Sequence, residues 1–371
     1  MLEELKKELK ILNLDSFLIT SSQNIFYLTR YGGFSKDERE AVILITKTHN
    51  YLLTDKRYLN ELQILKNFKL VEISPTNSLS GMLTKISKEN NLRTTGFEEN
   101  SITFSEYEKF RKVFKNFKPH ESPIEKLREV KTEEEIEKIK KACKLSDLGF
   151  KFILEHIKEN ITEQELAAKL EIFLKSRHAD TSFKPIIAFG KNSAVPHHLN
   201  SNIKLRKGNI VLIDIGAQLE GYCSDMTRTV FFGSPTLKFK WMYQTVLDAQ
   251  KIAVETIHKS LIPIKSGLIL NHKSNLEIKA SDVDKAARQY IIDKGFESIP
   301  HSLGHGIGID VHEKPSLSPK SKNILKSGMV FSIEPGIYLK GLGGVRIEDL
   351  YLLTDNVLEK ITHSTSEIIS L

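Results

Sequence analysis

An internal repeat ending in acid restricts this chain's fold more than any other feature. Residues 205–214, Leu-Arg-Lys-Gly-Asn-Ile-Val-Leu-Ile-Asp, align without gaps to residues 325–334, Leu-Lys-Ser-Gly-Met-Val-Phe-Ser-Ile-Glu. Gly208 therefore matches Gly328, and Asp214 matches Glu334. Upstream, Thr162-Glu-Gln-Glu-Leu-Ala-Ala-Lys aligns with Ser281-Asp-Val-Asp-Lys-Ala-Ala-Arg, and each reads as a capping box opening an amphipathic helix. The offsets are 120 and 119 residues. A period this long, present twice, excludes a solenoid and predicts two similar halves packed about a pseudo-twofold axis.

Each copy continues into a second acid. Ile210 to Gly216 reads as one arm of a β-hairpin, with the turn near Gln218 to Gly221 and the return arm from Tyr222 to Val230. If Gln218 pairs with Gly221, Asp214 faces Asp225 across the strands. After Glu334 the chain breaks at Pro335-Gly336, turns through Gly341 to Gly344 and returns from Val345 to Leu352, so that Glu348 takes the place of Asp225. Opposed residues on one sheet face have Cβ atoms about 4.5–5.5 Å apart, where like charges repel. A loop of odd length would instead slip the register and send the two acids apart as solvated groups. A twofold axis brings both acidic hairpins to one point, where four carboxylates are tolerable only if neutralised or protonated. Two divalent cations would balance them charge for charge. Between the hairpins lies His301 to Glu313, where Gly304, Gly306 and Gly308 free the backbone to approach a site closely and a histidine can supply a nitrogen ligand.

On these residues the chain resembles the pita-bread metallopeptidases, within them the Xaa-Pro aminopeptidase and prolidase branch. The matching blocks are Ser193-Ala-Val-Pro-His-His198, the Asp214 to Asp225 hairpin, His301 to Glu313, Glu334-Pro-Gly336 and Gly344-Val-Arg-Ile-Glu-Asp349, in order along essentially the whole chain. The resemblance implies an α+β fold. A smaller α/β creatinase-like N-terminal domain, residues 1–122, precedes a pita-bread domain, residues 123–371, whose curved, largely antiparallel sheet is covered by helices. It further implies that Asp214 chelates one metal ion, that His305 and Glu334 bind a second, and that Asp225 and Glu348 bridge both. Mn²⁺ is the first expectation for the two divalent ions, and Fe²⁺, Co²⁺ or Zn²⁺ also suit carboxylates with one imidazole. Glu334 is then the general base beside a hydroxide that bridges the metals. His197 and His312 would contact the substrate and its developing oxyanion. Arg346, on the strand face of Glu348, is the expected supporting or substrate contact, and His301 and Phe183 fall where the family lines its proline pocket.

An Xaa-Pro bond is a tertiary amide without an N–H, which handicaps peptidases that grip the chain through that donor. The implied activity is removal of the residue before proline from the N-terminus of peptides, with the Xaa-Pro dipeptidase reaction as the alternative. Some prolidases carry an arginine just after the His-Glu-x-Pro block, to grip the dipeptide's carboxylate. Ser316 stands there in this chain and favours longer peptides. From a different class comes a catalytically inactive binding module on the same scaffold. It is disfavoured because an inactive site has no physical need to keep four mutually repelling acids. Creatinase-like hydrolysis is disfavoured because that branch lacks the metal acids, and methionine aminopeptidase because it normally lacks the N-terminal domain.

The first part of the chain contributes strands at Asp15 to Thr20, Ala41 to Thr46, Tyr51 to Thr54 and Lys69 to Ile73, without a cluster of catalytic character. Asn24 to Thr29 resembles the creatinase-type domain, whose expected work is dimer contact and narrowing of access to the site. Two prolines near Lys118 to Pro123 mark a boundary. Beyond it Thr132 caps a helix with apolar positions at Ile136, Ile139, Ala142, Leu145 and Leu148. Lys126 to Lys141, mixing both signs, reads as a solvated face. The net charge of +7 is scattered and lends no support to nucleic-acid binding, and Cys143 and Cys223 give no disulfide framework. Cys223 reads as a small buried hydrophobe. Met1 to Lys10 is a charged amphipathic helix rather than a signal peptide, and no apolar run reaches the length of a membrane span. A cytoplasmic protein follows, and the resemblance adds a homodimer acting on proline-containing peptides. His49, His120, His156, His178, His258, His272 and His363 read as surface or satisfied core residues, as does His198. Gly304-His-Gly-Ile-Gly308 lacks the spacing of a dinucleotide loop.

Overall fold

The computed structural model describes residues 1–35, 37–261 and 277–371, so His272 lies outside the described residues. The chain divides into two compact units, Met1–Leu127 and Arg128–Leu371.

The first unit is built on six strands, β1 (Ser16–Ile19), β2 (Ala41–Thr46), β3 (Asn50–Asp55), β4 (Lys69–Ile73), β5 (Thr94–Glu98) and β6 (Asn116–His120), in the spatial order β4-β3-β2-β1-β5-β6. The central strands are apolar on both faces and buried along their length, as expected of a sheet covered by helices on both sides. The amphipathic start forms the helix Leu2–Ile11, which buries Leu5 and Leu9. Glu98, at the end of β5, accepts from the backbone N–H groups of Thr20 and Ser21 at 2.7 Å each and from Asn24 Nδ2 at 2.6 Å. That carboxylate fixes the turn from β1 into the helix Ser22–Thr29.

The second unit realises the repeat element by element. The first copy has two helices, Glu133–His156 and Glu163–Lys175, followed by antiparallel strands Ile186–Phe189, Asn209–Ile215 and Met226–Phe232 with the second in the middle. The second copy has helices Leu237–Leu261 and Ala280–Asp293, then Gly304–Gly306, Val330–Ile333 and Asp349–Leu353, again with the second in the middle. Glu313–Leu317 and Leu358–Lys360 extend its edges. Each copy largely supplies its own core, with Leu166, Leu170, Ile187 and Ile213 in one and Val246, Ala287, Phe331 and Ile333 in the other.

Thr132 and Thr162 form complete capping boxes with Glu135 and Glu165. The matching Ser281 does not: its helix begins at Ala280 with Lys279 at the cap, and Asp284 is drawn instead to Arg288, with contacts of 2.7 and 2.8 Å. Leu148 is exposed rather than part of the buried stripe. The stripe runs through Ser146, Gly149 and Phe150, because Leu170 of the next helix packs against the bare Cα of Gly149.

The register of the first ribbon corrects the sequence reading by two residues. Asp214 pairs with Thr227 and Leu219 with Tyr222, leaving a two-residue loop, Glu220-Gly221, with φ of 51° and 83°. Positive φ at both positions is the hairpin geometry that matches strand twist. Asp225 thus lies level with Gly216, not Asp214. An even slip preserves the face, so both acids still point the same way. In the second ribbon, Ile333 pairs with Asp349 and Gly336 with Arg346, and the same register puts Glu334 level with Glu348. The ribbons join where Glu348 N donates to Thr227 O at 3.1 Å and Arg346 N to Thr229 Oγ1 at 3.2 Å. Among the described residues no helix is long and apolar enough to cross a membrane.

Candidate metal centre

The two ribbons and the strand Gly304–Gly306 converge on one point. Asp225, His305 and Glu348 each bring a ligand atom there, all within 4.8 Å of one another. His305 Nε2 lies 3.4 Å from Glu334 Oε1 and 3.7 Å from Asp225 Oδ2. His305 Nδ1 sits 3.1 Å from the carbonyl oxygen of Gly306, which can only accept, so the ring proton is on Nδ1 and the Nε2 lone pair faces the acids. His305 reaches this place because its strand is squeezed between two others. A side chain at Gly304 would overlap the carbonyl of Ser332, and one at Gly306 that of Lys314.

The outer oxygens of Asp214 and Glu348 are held by donors. Arg346 Nη2 donates to Asp214 Oδ2 at 2.5 Å, and Thr227 Oγ1 donates to Glu348 Oε2 at 2.7 Å while accepting from Arg346 Nε at 3.0 Å. The inner oxygens are not: Asp214 Oδ1, Asp225 Oδ1 and Glu348 Oε1 are buried without a hydrogen bond. Burial and mutual repulsion push Asp225 and Glu334 well above the usual carboxylate range and Glu348 to about 8. Burial, with His312 adjacent, pushes His305 down to about 3, so the imidazole is neutral. When ionised, these acids and the Nε2 lone pair are all acceptors and cannot satisfy one another. Divalent cations fit that arrangement, and its oxygens and one imidazole suit Mn²⁺, Fe²⁺, Co²⁺ or Zn²⁺.

Around these acids stand the other residues singled out from the sequence. The His312 ring lies edge-on to that of His305, with centroids 4.3 Å apart. His301 Nδ1 donates to Ser302 O at 2.8 Å, leaving Nε2 to accept from Tyr338 Oη at 2.9 Å. Burial holds His301 down to about 4. His197 is exposed, near enough to His301 and His312 to act on both electrostatically. The Phe183 ring packs over Gly216, level with Asp225 but on the outer part of the ribbon.

Residues 137–355 match metallopeptidase family M24, and residues 1–130 match the creatinase/prolidase N-terminal domain. The chain belongs to metallopeptidase family M24. An Xaa-Pro dipeptidase from Pyrococcus furiosus is 34% identical over 381 residues, covering 100% of both chains. The solved structure of an Xaa-Pro dipeptidase from Bacillus anthracis matches with a TM-score of 0.90 at 33% identity, over 100% of this chain and 99% of that one. That of an X-Pro aminopeptidase from Thermotoga maritima matches at 0.83 and 30% identity, over 98% and 100%.

As a member of M24, the chain has the creatinase-type and pita-bread domains that its sequence blocks imply. Sequence reasoning missed several residues of this M24 site. Tyr338 accepts from Arg346 Nη1 at 2.9 Å and so links Arg346 to His301, and Thr227 links Arg346 to Glu348. Strand parity was the available signal, since Tyr338 lies an even step from Glu334 and Thr227 an even step from Asp225. The reading of Lys126 to Lys141 as a solvated face fails at three charged positions, Arg128, Lys131 and Glu135, the last accepting from Tyr222 Oη at 2.9 Å. Arg128 and Lys131 are buried, with Arg128 Nη2 2.6 Å from both Asp310 Oδ2 and Glu313 Oε2 and Lys131 Nζ 2.8 Å from Glu313 Oε1. They neutralise a buried acid next to His312. His198, read as bland, bonds the enclosed carboxylate of Glu163 at 2.8 Å.

Proposed function

We propose that this protein is an Xaa-Pro dipeptidase, hydrolysing the bond between an N-terminal residue and proline. The observation that carries the reading is the convergence of orphaned acid oxygens and a neutral His305 lone pair on one buried point. Full-length relatives that bear the name Xaa-Pro dipeptidase support the dipeptide as substrate. They outweigh Ser316, the feature that favours the aminopeptidase reading.

Two divalent cations held by Asp214, Asp225, His305, Glu334 and Glu348 would offset the acids' charge and lend Lewis acidity to the scissile carbonyl and the attacking water. Glu334 takes the water's proton and returns it to the departing proline nitrogen. His312 and His197 donate to the carbonyl oxygen as its charge develops. His301 and Phe183 offer ring faces to the proline. Arg346 holds Asp214 in place, so the acid cannot swing away from the site. Mn²⁺ as first cation, a homodimer and a cytoplasmic location belong to the same reading.

The test is turnover of Ala-Pro against Ala-Pro-Pro by the Mn²⁺-loaded protein, with bound cation measured after purification. Faster cleavage of the dipeptide is expected. Exclusive cleavage of the longer peptide would establish the aminopeptidase instead, and a folded protein that cleaves neither would establish an inactive binding module.

A further inference from the structure

We propose that Glu163 is a positioning residue for His197. It is the first residue of the helix Glu163–Lys175, and its carboxylate is wholly enclosed. An ionised carboxylate in such a place is costly unless its oxygens are satisfied. All five of its bonds come from one segment. Oε1 accepts from Phe189 N and Asn192 Nδ2, each at 2.8 Å, and Oε2 from His198 Nε2 at 2.8 Å, Ser201 N at 2.9 Å and Ser201 Oγ at 2.6 Å. Two donors precede His197 and three follow it, so one buried anion gathers both limbs of the segment that carries this histidine.

The helix does not need Glu163 for its own start, because Thr162 and Glu165 complete the cap. The segment does need an anchor: beyond the short 3₁₀ turn Gly190–Ala194 it has no regular structure before the next strand. Its other ties include Gly344 N to Ser193 Oγ at 2.8 Å and Arg346 Nη1 to Pro196 O at 3.4 Å upstream of His197, and, downstream, Asn200 with Pro185 O and Ile187 N at 2.8 Å each and with Gln164 Nε2 at 3.1 Å. Of the downstream ties, the bond of His198 to Glu163 is the one next to His197 in the chain, and it sets where the imidazole stands. The seat at a helix N-terminus adds to the stability of the anion.

This inference rests on the role given to His197 in the peptidase reading, and a double-mutant cycle separates the two. Glu163→Gln keeps the volume but offers one acceptor oxygen to five donors. In the full-length, Mn²⁺-loaded protein acting on Ala-Pro, it should lower kcat/KM on the order of 10- to 100-fold, mostly in kcat, with bound cation unchanged. Combined with His197→Ala it should add less than about twofold, because the residue it positions is already gone. A full multiplicative loss in the double variant would overturn the proposal, as would wild-type turnover in Glu163→Gln. A silent His197→Ala would instead overturn the role of His197, and the proposal with it. Should Glu163→Gln not fold, His198→Asn and Ser201→Ala each remove one side-chain donor, and the same non-additivity with His197→Ala decides the matter.

Discussion

Arg228 Nη2 and Asp349 Oδ1 meet at 2.6 Å in a place closed to solvent, one residue on from Thr227 and Glu348. The guanidinium also donates to the carbonyls of Thr227 and Glu348, at 2.9 and 2.5 Å, and to those of Ser364 and Thr365, at 2.7 and 2.8 Å. Asp349 in turn accepts from Gln250 at 3.1 Å and Thr362 at 2.8 Å, with Lys360 Nζ 3.0 Å away. The pair ties the two ribbons together directly behind the acids. Arg228→Met should cost about 3–5 kcal/mol, as breaking a buried pair from one side does, measured by urea unfolding of the cation-free protein.

Glu334→Gln should lower Ala-Pro hydrolysis by about 10²- to 10⁴-fold, the usual contribution of a positioned proton carrier, with circular dichroism unchanged. A near-normal rate would refute the assignment of Glu334 as base.

His312 lies edge-on to His305, with ring centroids 4.3 Å apart, and its proposed partner is the substrate carbonyl rather than a cation. His312→Ala should therefore lower turnover far more than bound cation. Loss of a cation equivalent, measured by elemental analysis, would show that His312 is itself a ligand.

Without cations the stability of this protein should fall as pH rises from about 6.5 to about 8. In the folded chain Glu348 titrates near about 8 against an ordinary 4.5, so folding takes up a proton. Its contribution is full below the ordinary value and lost as pH rises through the folded one. Asp225 and Glu334 act in the same direction. His305 and His301, held down to about 3 and about 4, oppose them, but only below their ordinary value of 6.5. Above 6.5 the acids act alone. Melting of EDTA-treated protein across that window is the measurement, with Mn²⁺ expected to raise Tm and flatten the slope. A cation-free Tm that climbs with pH would contradict the buried-acid picture.

Gly306→Ala places a methyl group on the carbonyl of Lys314 and must push the His305 strand aside. A cost of about 1–3 kcal/mol is expected, together with weaker Mn²⁺ binding by calorimetry. Wild-type binding would mean that His305 tolerates displacement.

The gathering of acids was legible in the sequence because strand parity is robust. The expected turn at Leu219-Glu220 lies one residue from the true one at Glu220-Gly221, which shifts the register by two, and an even shift leaves Asp214 and Asp225 on one face. Ser281 misled because a capping box written in sequence competes with tertiary demand, and here Asp284 goes to Arg288. Arg128 and Lys131 could not be read as buried, since Glu313, which makes their burial tolerable, lies far along the chain. The same holds for His198 and Glu163, whose partnership follows from how a loop folds back on a helix rather than from any local pattern.

Asp214 and Asp225 belong to one copy of the repeat, Glu334 and Glu348 to the other, and their meeting place is the seam between the two. One copy alone presents a single acidic ribbon, which is half a coordination shell. A precursor of half this domain's length would have had to assemble with its own twin, as a symmetric pair, before it could gather all four acids. Within one polypeptide the two ribbons need not be identical, so Asp214 leans on Arg346 while its counterpart Glu334 lies beside an imidazole and accepts from Ser332 Oγ at 3.5 Å.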